Sequence, residues 1–254
     1  MEDSKLKVVS NELVVTDDLM ITGTTQIDLT KVLDNAMEVS GLHDAYLQSQ
    51  LNVQFIENNH AWVITQYEIR IIKEAALNDT LVIDTRLVEV NRFFCTRRYS
   101  VVCDGELLYE VFAKFAAIDV EKRRIVRINP SPLESEQIID SSHSINFSKI
   151  KAFTNEAGEE DINIGIDESD IDENLHVNNL VYLKWAYRTL PDNIRQDYKM
   201  SRIEVKYEKE ILPQDTVFIC NKIDIKDNSQ TQQVIINKTN NKIASIINIQ
   251  WEKN

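Results

Sequence analysis

Glu68 to Ile83 reads EIRIIKEAALNDTLVI, and Glu204 to Ile219, 136 residues further on, reads EVKYEKEILPQDTVFI. The two segments align without a gap. Six of the sixteen positions are identical: Glu68/Glu204, Lys73/Lys209, Glu74/Glu210, Asp79/Asp215, Thr80/Thr216 and Ile83/Ile219. Others are conservative, such as Arg70/Lys206 and Leu81/Val217. Similarity at a fixed spacing is the mark of a duplicated unit.

The surroundings of each copy agree with duplication. Upstream of the first, Val32, Leu33, Ala36, Met37, Val39 and Leu42 recur at helical spacing after Asp28 or Thr30. Upstream of the second, Leu180, Val181, Leu183, Trp185 and Tyr187 do the same and stop before Pro191. Each stripe is followed by β-branched and aromatic runs: Trp62–Ile72, Leu81–Val90, Phe93–Val102 and Leu107–Asp119, then Met200–Lys209, Val217–Ile223, Thr231–Asn237 and Ile243–Trp251. Asn228-Ser229 and Asn240-Asn241 read as hairpin turns. One helix per run of strands, repeated, predicts an α+β chain in which each sheet wraps its own helix. Residues 1–128 and 161–254 are the expected domains. Residues 129–160 hold Pro130, Pro132, several serines and an acidic end, and read as a linker.

The composition bounds the function. A chain of 254 residues with 43% hydrophobic residues has room for two ordinary domains. With 28 basic and 41 acidic residues the formal charge is −13, which argues against a nucleic-acid partner. Residues 1–10 carry no apolar targeting core, and no apolar stretch reaches the roughly 18 residues of a membrane span, so no membrane insertion is expected. Cys95, Cys103 and Cys220 form no CxxC pair and read as reduced thiols of a cytoplasmic protein. The five glycines are scattered, which excludes phosphate-binding glycine loops. The acidic run Asp167, Glu168, Asp170, Asp172, Glu173 does not fit a calcium loop, so neither metal nor cofactor is called for. His43, His60 and His143 read as surface or packing residues, and Trp62, Trp185 and Trp251 as core.

Chemistry concentrates in Asp172-Glu-Asn174-Leu-His176-Val-Asn178-Asn179. On an extended backbone the alternating Asp172, Asn174 and His176 would point one way. Asn178 or Asn179 would cap the helix that follows. A carboxylate, an amide and an imidazole near a helix N-terminus are what acyl transfer needs, with the N–H groups of Val177, Asn178 and Asn179 available to a developing oxyanion. The same side chains would equally serve turn and cap hydrogen bonds alone. The corresponding approach to the first helix, Thr24 to Asp28, has no histidine, and Glu210 lies in the strand run of the second copy.

At these residues the chain resembles the acyl-acyl-carrier-protein thioesterases of plants and bacteria. The resemblance covers nearly the whole chain. It rests most firmly on Asp172 to Asn179 with Tyr182 and Trp185, and on Tyr207-Glu-Lys-Glu210. In the first half, Trp62-Val-Ile, Asn91-Arg-Phe93 and Lys122 to Arg127 fit as well. Two departures stand out. Ile211 occupies a position where many members carry cysteine, and Phe115-Ala-Ala stands where relatives carry tryptophan.

The resemblance implies two tandem hot-dog domains, each an antiparallel sheet around one long helix, with the acyl chain in the first and the chemistry in the second. It implies hydrolysis of fatty-acyl thioesters on acyl carrier protein, the partner bearing the phosphopantetheine-linked chain. Asp172, Asn174, His176 and Glu210 become the catalytic candidates. Either Asp172 attacks and Glu210 activates water, or Glu210 or His176 acts directly as general base, a role that calls for a buried Glu210. Arg97, Arg98, Lys122, Arg123, Arg124 and Arg127 are expected to dock the acidic carrier protein, against the alternative of a solvated strand face. An acyl-CoA thioesterase and a non-catalytic acyl-binding protein are the rival readings, and a homodimer is left open.

Overall fold

The computed structural model describes residues 9–21, 24, 26–54, 56–57, 59–153, 161–223 and 229–254. The chain divides into two compact units, Met1–Phe147 and Ser148–Asn254.

In the first unit, α1 (Leu29–Leu51) starts where the Asp28 carboxylate accepts the Thr30 N–H at 3.0 Å, and ends where Asn52 turns left-handed at φ 52°. Val32, Leu33, Ala36, Val39 and Leu47 bury one face. Leu42, counted in the stripe from sequence, is 52% exposed, and its neighbour His43 is buried instead. The strands are β1 (Val9–Val14), β2 (His60–Ile71), β3 (Thr80–Val90), β4 (Phe94–Cys103), β5 (Glu106–Asp119) and the short β6 (Arg124–Ile125). They pair antiparallel in the order β1-β3-β4-β5-β2, with β6 added to β5. Tyr67, Ile69, Leu81, Ile83, Tyr99, Val111 and Ala113 are buried from these strands. Burying each large aliphatic contributes on the order of 1.5–3 kcal/mol.

The second unit has β7 (Ile162–Ile164), β8 (Tyr198–Tyr207), β9 (Val217–Ile223), β10 (Gln230–Asn237) and β11 (Lys242–Lys253). They pair antiparallel in the order β8-β11-β10-β9-β7. Its main helix, labelled α3 because a short α2 (Ser131–Ser135) precedes it, spans Val181–Arg188 and buries Val181, Tyr182, Leu183, Trp185 and Ala186. This helix is short, not long as expected. The chain breaks at Pro191 and resumes as α4 (Asp192–Asp197). The turn expected at Asn240-Asn241 is present, with Asn241 at φ 55°. Asn228 lies outside the described residues.

The 136-residue spacing persists in three dimensions. The β2–β5 pairing slips between Ile64 and Gln66, and Thr65 Oγ1 donates to the Lys114 carbonyl at 3.0 Å. The β8–β11 pairing slips at the matching place, and Ser201 Oγ donates to the Gln250 carbonyl at 3.3 Å. Asp79 Oδ2 accepts the Ala76 N–H, and Asp215 Oδ2 the Leu212 N–H, both at 2.8 Å. A bulge bends a strand at a set point, so both sheets bend at the same register.

Residues 129–153 pack on whichever unit they adjoin. Asp140 donates its N–H to the Leu87 carbonyl and pairs with Arg86 at 3.3 Å. Ile150 packs with Val234 and Ile246, and the Phe153 N–H donates to Gln232 Oε1 at 2.7 Å. Residues 154–160, at the acidic end of the expected linker, lie outside the described residues.

Candidate active site

The segment leading into α3 is a closed turn, not the extended run that alternation suggested. Ile171 and Val177 form an antiparallel bridge. Between them Asp172 donates its N–H to the His176 carbonyl at 2.8 Å, and Leu175 takes a left-handed φ of 61°. A non-glycine residue there is uncommon and is held by its surroundings. The Asp172 carboxylate stabilises the turn from within: Oδ1 accepts the Asn174 N–H at 2.9 Å and the His176 N–H at 3.2 Å. Asp172 therefore organises the loop, and Asn174 is exposed at its tip. The imidazole of His176, 18% exposed, is turned inward.

Neither Asn178 nor Asn179 is the N-cap of α3, which is Leu180 without a side-chain cap; Asn178 Oδ1 accepts the Leu180 N–H at 2.9 Å in the turn before the helix. Of the three N–H groups assigned to an oxyanion, two are committed. That of Val177 donates to the Ile211 carbonyl at 2.9 Å and that of Asn178 to the Asp170 carbonyl at 2.8 Å. Among the described residues, Asn179 alone of the three gives its N–H to no backbone carbonyl.

Glu210 reaches this turn from the opposite side. It lies three residues beyond the end of β8, not within the strand. Glu210 Oε2 is 3.3 Å from His176 Nε2, and its side chain is 47% exposed where burial was expected. Two ties flank this contact. The Val177–Ile211 bond joins the residues that follow His176 and Glu210, and Ile211 is fully buried. Tyr207 donates its hydroxyl to the Asn179 carbonyl at 3.0 Å. Tyr182 packs between, stacked on Trp185 (centroids 5.6 Å apart) and tilted against Tyr207 (5.8 Å). Burial pushes both phenols above the ordinary tyrosine range, so each keeps its proton. The structure thus brings His176 and Glu210 together, sets Asp172 behind them and leaves Asn174 outside. The ties through Tyr207 and Ile211 were not expected. The Tyr-x-x-Glu spacing was visible in the sequence, but nothing in it says where a hydroxyl points.

The basic residues assigned to docking fall into two sets. Arg97 is buried, ion-paired to Asp44 and hydrogen-bonded to His43 Nδ1 at 2.8 Å. Arg98 is paired to Glu110 at 2.7 Å with 13% of its side chain exposed. Neither is available to a partner: Arg97 is held against α1, and Arg98, on the opposite face of β4, is tied to the Glu110 carboxylate of β5. Burial, with Arg97 beside it, holds the His43 imidazole down at about 3, a packing histidine as expected. Lys122, Arg123, Arg124 and Arg127 are exposed around the β5–β6 turn, where Lys122 also reaches Asp119 at 2.9 Å.

Residues 13–135 match the family model of the acyl-ACP thioesterase N-terminal domain, and residues 153–253 that of the C-terminal domain. An oleoyl-acyl carrier protein thioesterase of Arabidopsis thaliana is 24% identical over 189 residues, 70% of this chain and 50% of the relative. A chloroplastic acyl-[acyl-carrier-protein] hydrolase of Cuphea viscosissima is 26% identical over 165 residues, 61% of this chain and 38% of the relative. The chain thus spans half or less of the length of these curated relatives. Among solved structures, an acyl-ACP thioesterase from Bacteroides thetaiotaomicron superposes with a TM-score of 0.83 at 18% identity, covering 99% of this chain and 100% of that one. The 12:0-ACP thioesterase from Umbellularia californica gives 0.81 at 14% identity, covering 97% and 98%. A hot-dog protein of unknown function from Alicyclobacillus acidocaldarius gives 0.53 at 9% identity, covering 99% and 97%. At these identities the structures establish a hot-dog-like fold.

Proposed function

The chain belongs to the acyl-ACP thioesterase family, and from that premise we propose that it hydrolyses fatty-acyl thioesters of acyl carrier protein in fatty acid synthesis. The observation that carries this reading is the His176–Glu210 contact of 3.3 Å beside the start of α3. Water attacks the thioester carbonyl as the imidazole–carboxylate pair takes its proton. The new carbon–oxygen bond forms, the carbon–sulfur bond breaks, and the proton passes to the departing thiolate. A positioned pair of this kind typically contributes 10²–10⁴-fold. The Asn179 N–H is the donor assigned to the oxyanion. Asp172, with an oxygen committed to two N–H groups of its own turn, favours the general-base route over a nucleophilic carboxylate.

Three finer assignments belong to the same proposal. The units are read as tandem hot-dog domains, supported by matching bulges and turn hydrogen bonds at a 136-residue spacing. The acyl chain is assigned to the first and the chemistry to the second. Lys122, Arg123, Arg124 and Arg127 are assigned to carrier-protein docking, supported by the exposure of four cations around one hairpin of a chain with net charge −13. A cytoplasmic location is supported by the three free cysteines.

Fatty-acid release from matched acyl chains on carrier protein and on CoA tests the activity. Faster turnover of the carrier-bound esters supports it. Equal rates on both would move the substrate assignment to CoA esters, and saturable binding without hydrolysis would leave an acyl-binding protein.

A further inference from the structure

The hydroxyl of Tyr207 is a feature the proposed chemistry does not use. The residue at the same register of the first unit, 136 positions earlier, is Ile71, which ends β2 as Tyr207 ends β8. The helix-start counterparts can be matched in the same way. Asp28, the cap of α1, and Asn178, in the turn just before α3, each accept the N–H two residues on. On that alignment Tyr182 and Trp185 stand where the first unit has Val32 and Asn35. The first unit holds its strand exit instead with Tyr109, whose hydroxyl accepts the Ala75 N–H at 2.7 Å, and has none of these three rings. They occur where a histidine faces a carboxylate.

The placement of the hydroxyl is specific. Tyr207 lies three residues before Glu210, and the carbonyl it donates to belongs to Asn179, three residues after His176. The Val177–Ile211 bond closes the other side of the pair. The His176–Glu210 contact thus sits between two cross-links that each join the Glu210 strand exit to the His176 turn. Glu210 is half exposed and lies beyond the end of its strand. The two cross-links fix the exit from both sides of the contact.

We propose that Tyr207 is a positioning residue for the hydrolysis, its hydroxyl holding the Glu210 carboxylate against His176 through the Asn179 carbonyl. The inference rests on the hydrolase reading above and deepens it. Tyr207→Phe keeps the ring and removes only the hydroxyl. It should lower kcat about 10- to 100-fold, the scale of a misplaced catalytic group, with KM changed by less than about twofold, as for an interaction that matters only at the reacting centre. A packing role would cost the same in any background. A positioning role acts through Glu210, so the added loss should shrink to less than about twofold in a Glu210→Gln background, where the partner carboxylate is gone. Tyr207→Ile, which installs the residue found at Ile71, should fold and behave like Tyr207→Phe.

A readout without turnover separates failure of this inference from failure of the hydrolase assignment. The ¹⁵N chemical shifts of the His176 imidazole report its contact with the carboxylate. Tyr207→Phe should move them in the same direction as Glu210→Gln. Unchanged imidazole shifts, full activity in Tyr207→Phe, an undiminished loss in the Glu210→Gln background, or failure of both variants to fold would each overturn the proposal. The last would assign the hydroxyl to the fold.

Discussion

At the exit of β2 the Ala75 N–H donates to the hydroxyl of Tyr109 at 2.7 Å, and Glu74 lies 3.3 Å from that hydroxyl. At the exit of β8 the corresponding residues are Ile211 and Glu210, and the carboxylate there faces an imidazole. Both units therefore place a glutamate at the same bend of the same sheet, using the same bulge and the same aspartate-closed turn. They differ in what comes before the helix. Gln26 precedes the bridging residue Ile27 just as His176 precedes Val177. On the proposed tandem reading the scaffold is shared, and one imidazole with its flanking ties distinguishes the half assigned the acid–base chemistry.

The most severe test of that contrast is to remove the pair. His176→Ala or Glu210→Gln should lower turnover by about 10²–10⁴-fold, while Glu74→Gln in the first unit should leave it within about twofold. A large loss in Glu74→Gln would break the distinction between the halves.

A smaller effect separates the two chemical routes within the second unit. Asp172→Asn retains an acceptor oxygen for the Asn174 and His176 N–H groups, so the turn should persist and turnover should fall by no more than about tenfold. A loss as large as that of His176→Ala would mean that the carboxylate itself attacks.

Docking sharpens the contrast from the other side. Reversing the charge of Arg123 and Arg124 together should raise KM for the carrier-bound substrate several-fold at low salt, with little effect at high salt and on kcat. An unchanged KM would reduce the hairpin to a solvated face.

The smallest effect concerns stability in the first unit. His43 is held near 3 in the fold, against about 6.5 unfolded, so the unfolded chain binds its proton first. The neutral ring's contribution is complete above about 6.5 and is lost as pH falls from there toward 3, by at most about 1.4 kcal/mol per pH unit. Urea melts at pH 7 and pH 5 should show a shallower pH dependence for His43→Gln than for wild type. Equal slopes would place the titration elsewhere.

Most of the strands were legible because alternation and β-branching survive in single stretches such as Thr80–Val90 and Val217–Ile223. The strand β1, VSNELV with an alternately half-exposed face, was not, since only its pairing with β3 marks it. The active-site residues were legible as types but not as a shape. Alternation implies an extended chain, whereas Leu175 turns left-handed with no glycine to announce it. Arg97 was misread for a related reason: its partners His43 and Asp44 come from a helix over fifty residues away, so its burial is a tertiary fact.

In the proposed mechanism one half carries the chemistry, through His176. Its most direct test is fatty-acid release from acyl carrier protein by wild type, His176→Ala and Gln26→Ala, measured side by side with folding checked by melting. Wild type and Gln26→Ala should hydrolyse the ester, and His176→Ala should not. Hydrolysis that survives in His176→Ala, or disappears equally in Gln26→Ala, would contradict that mechanism.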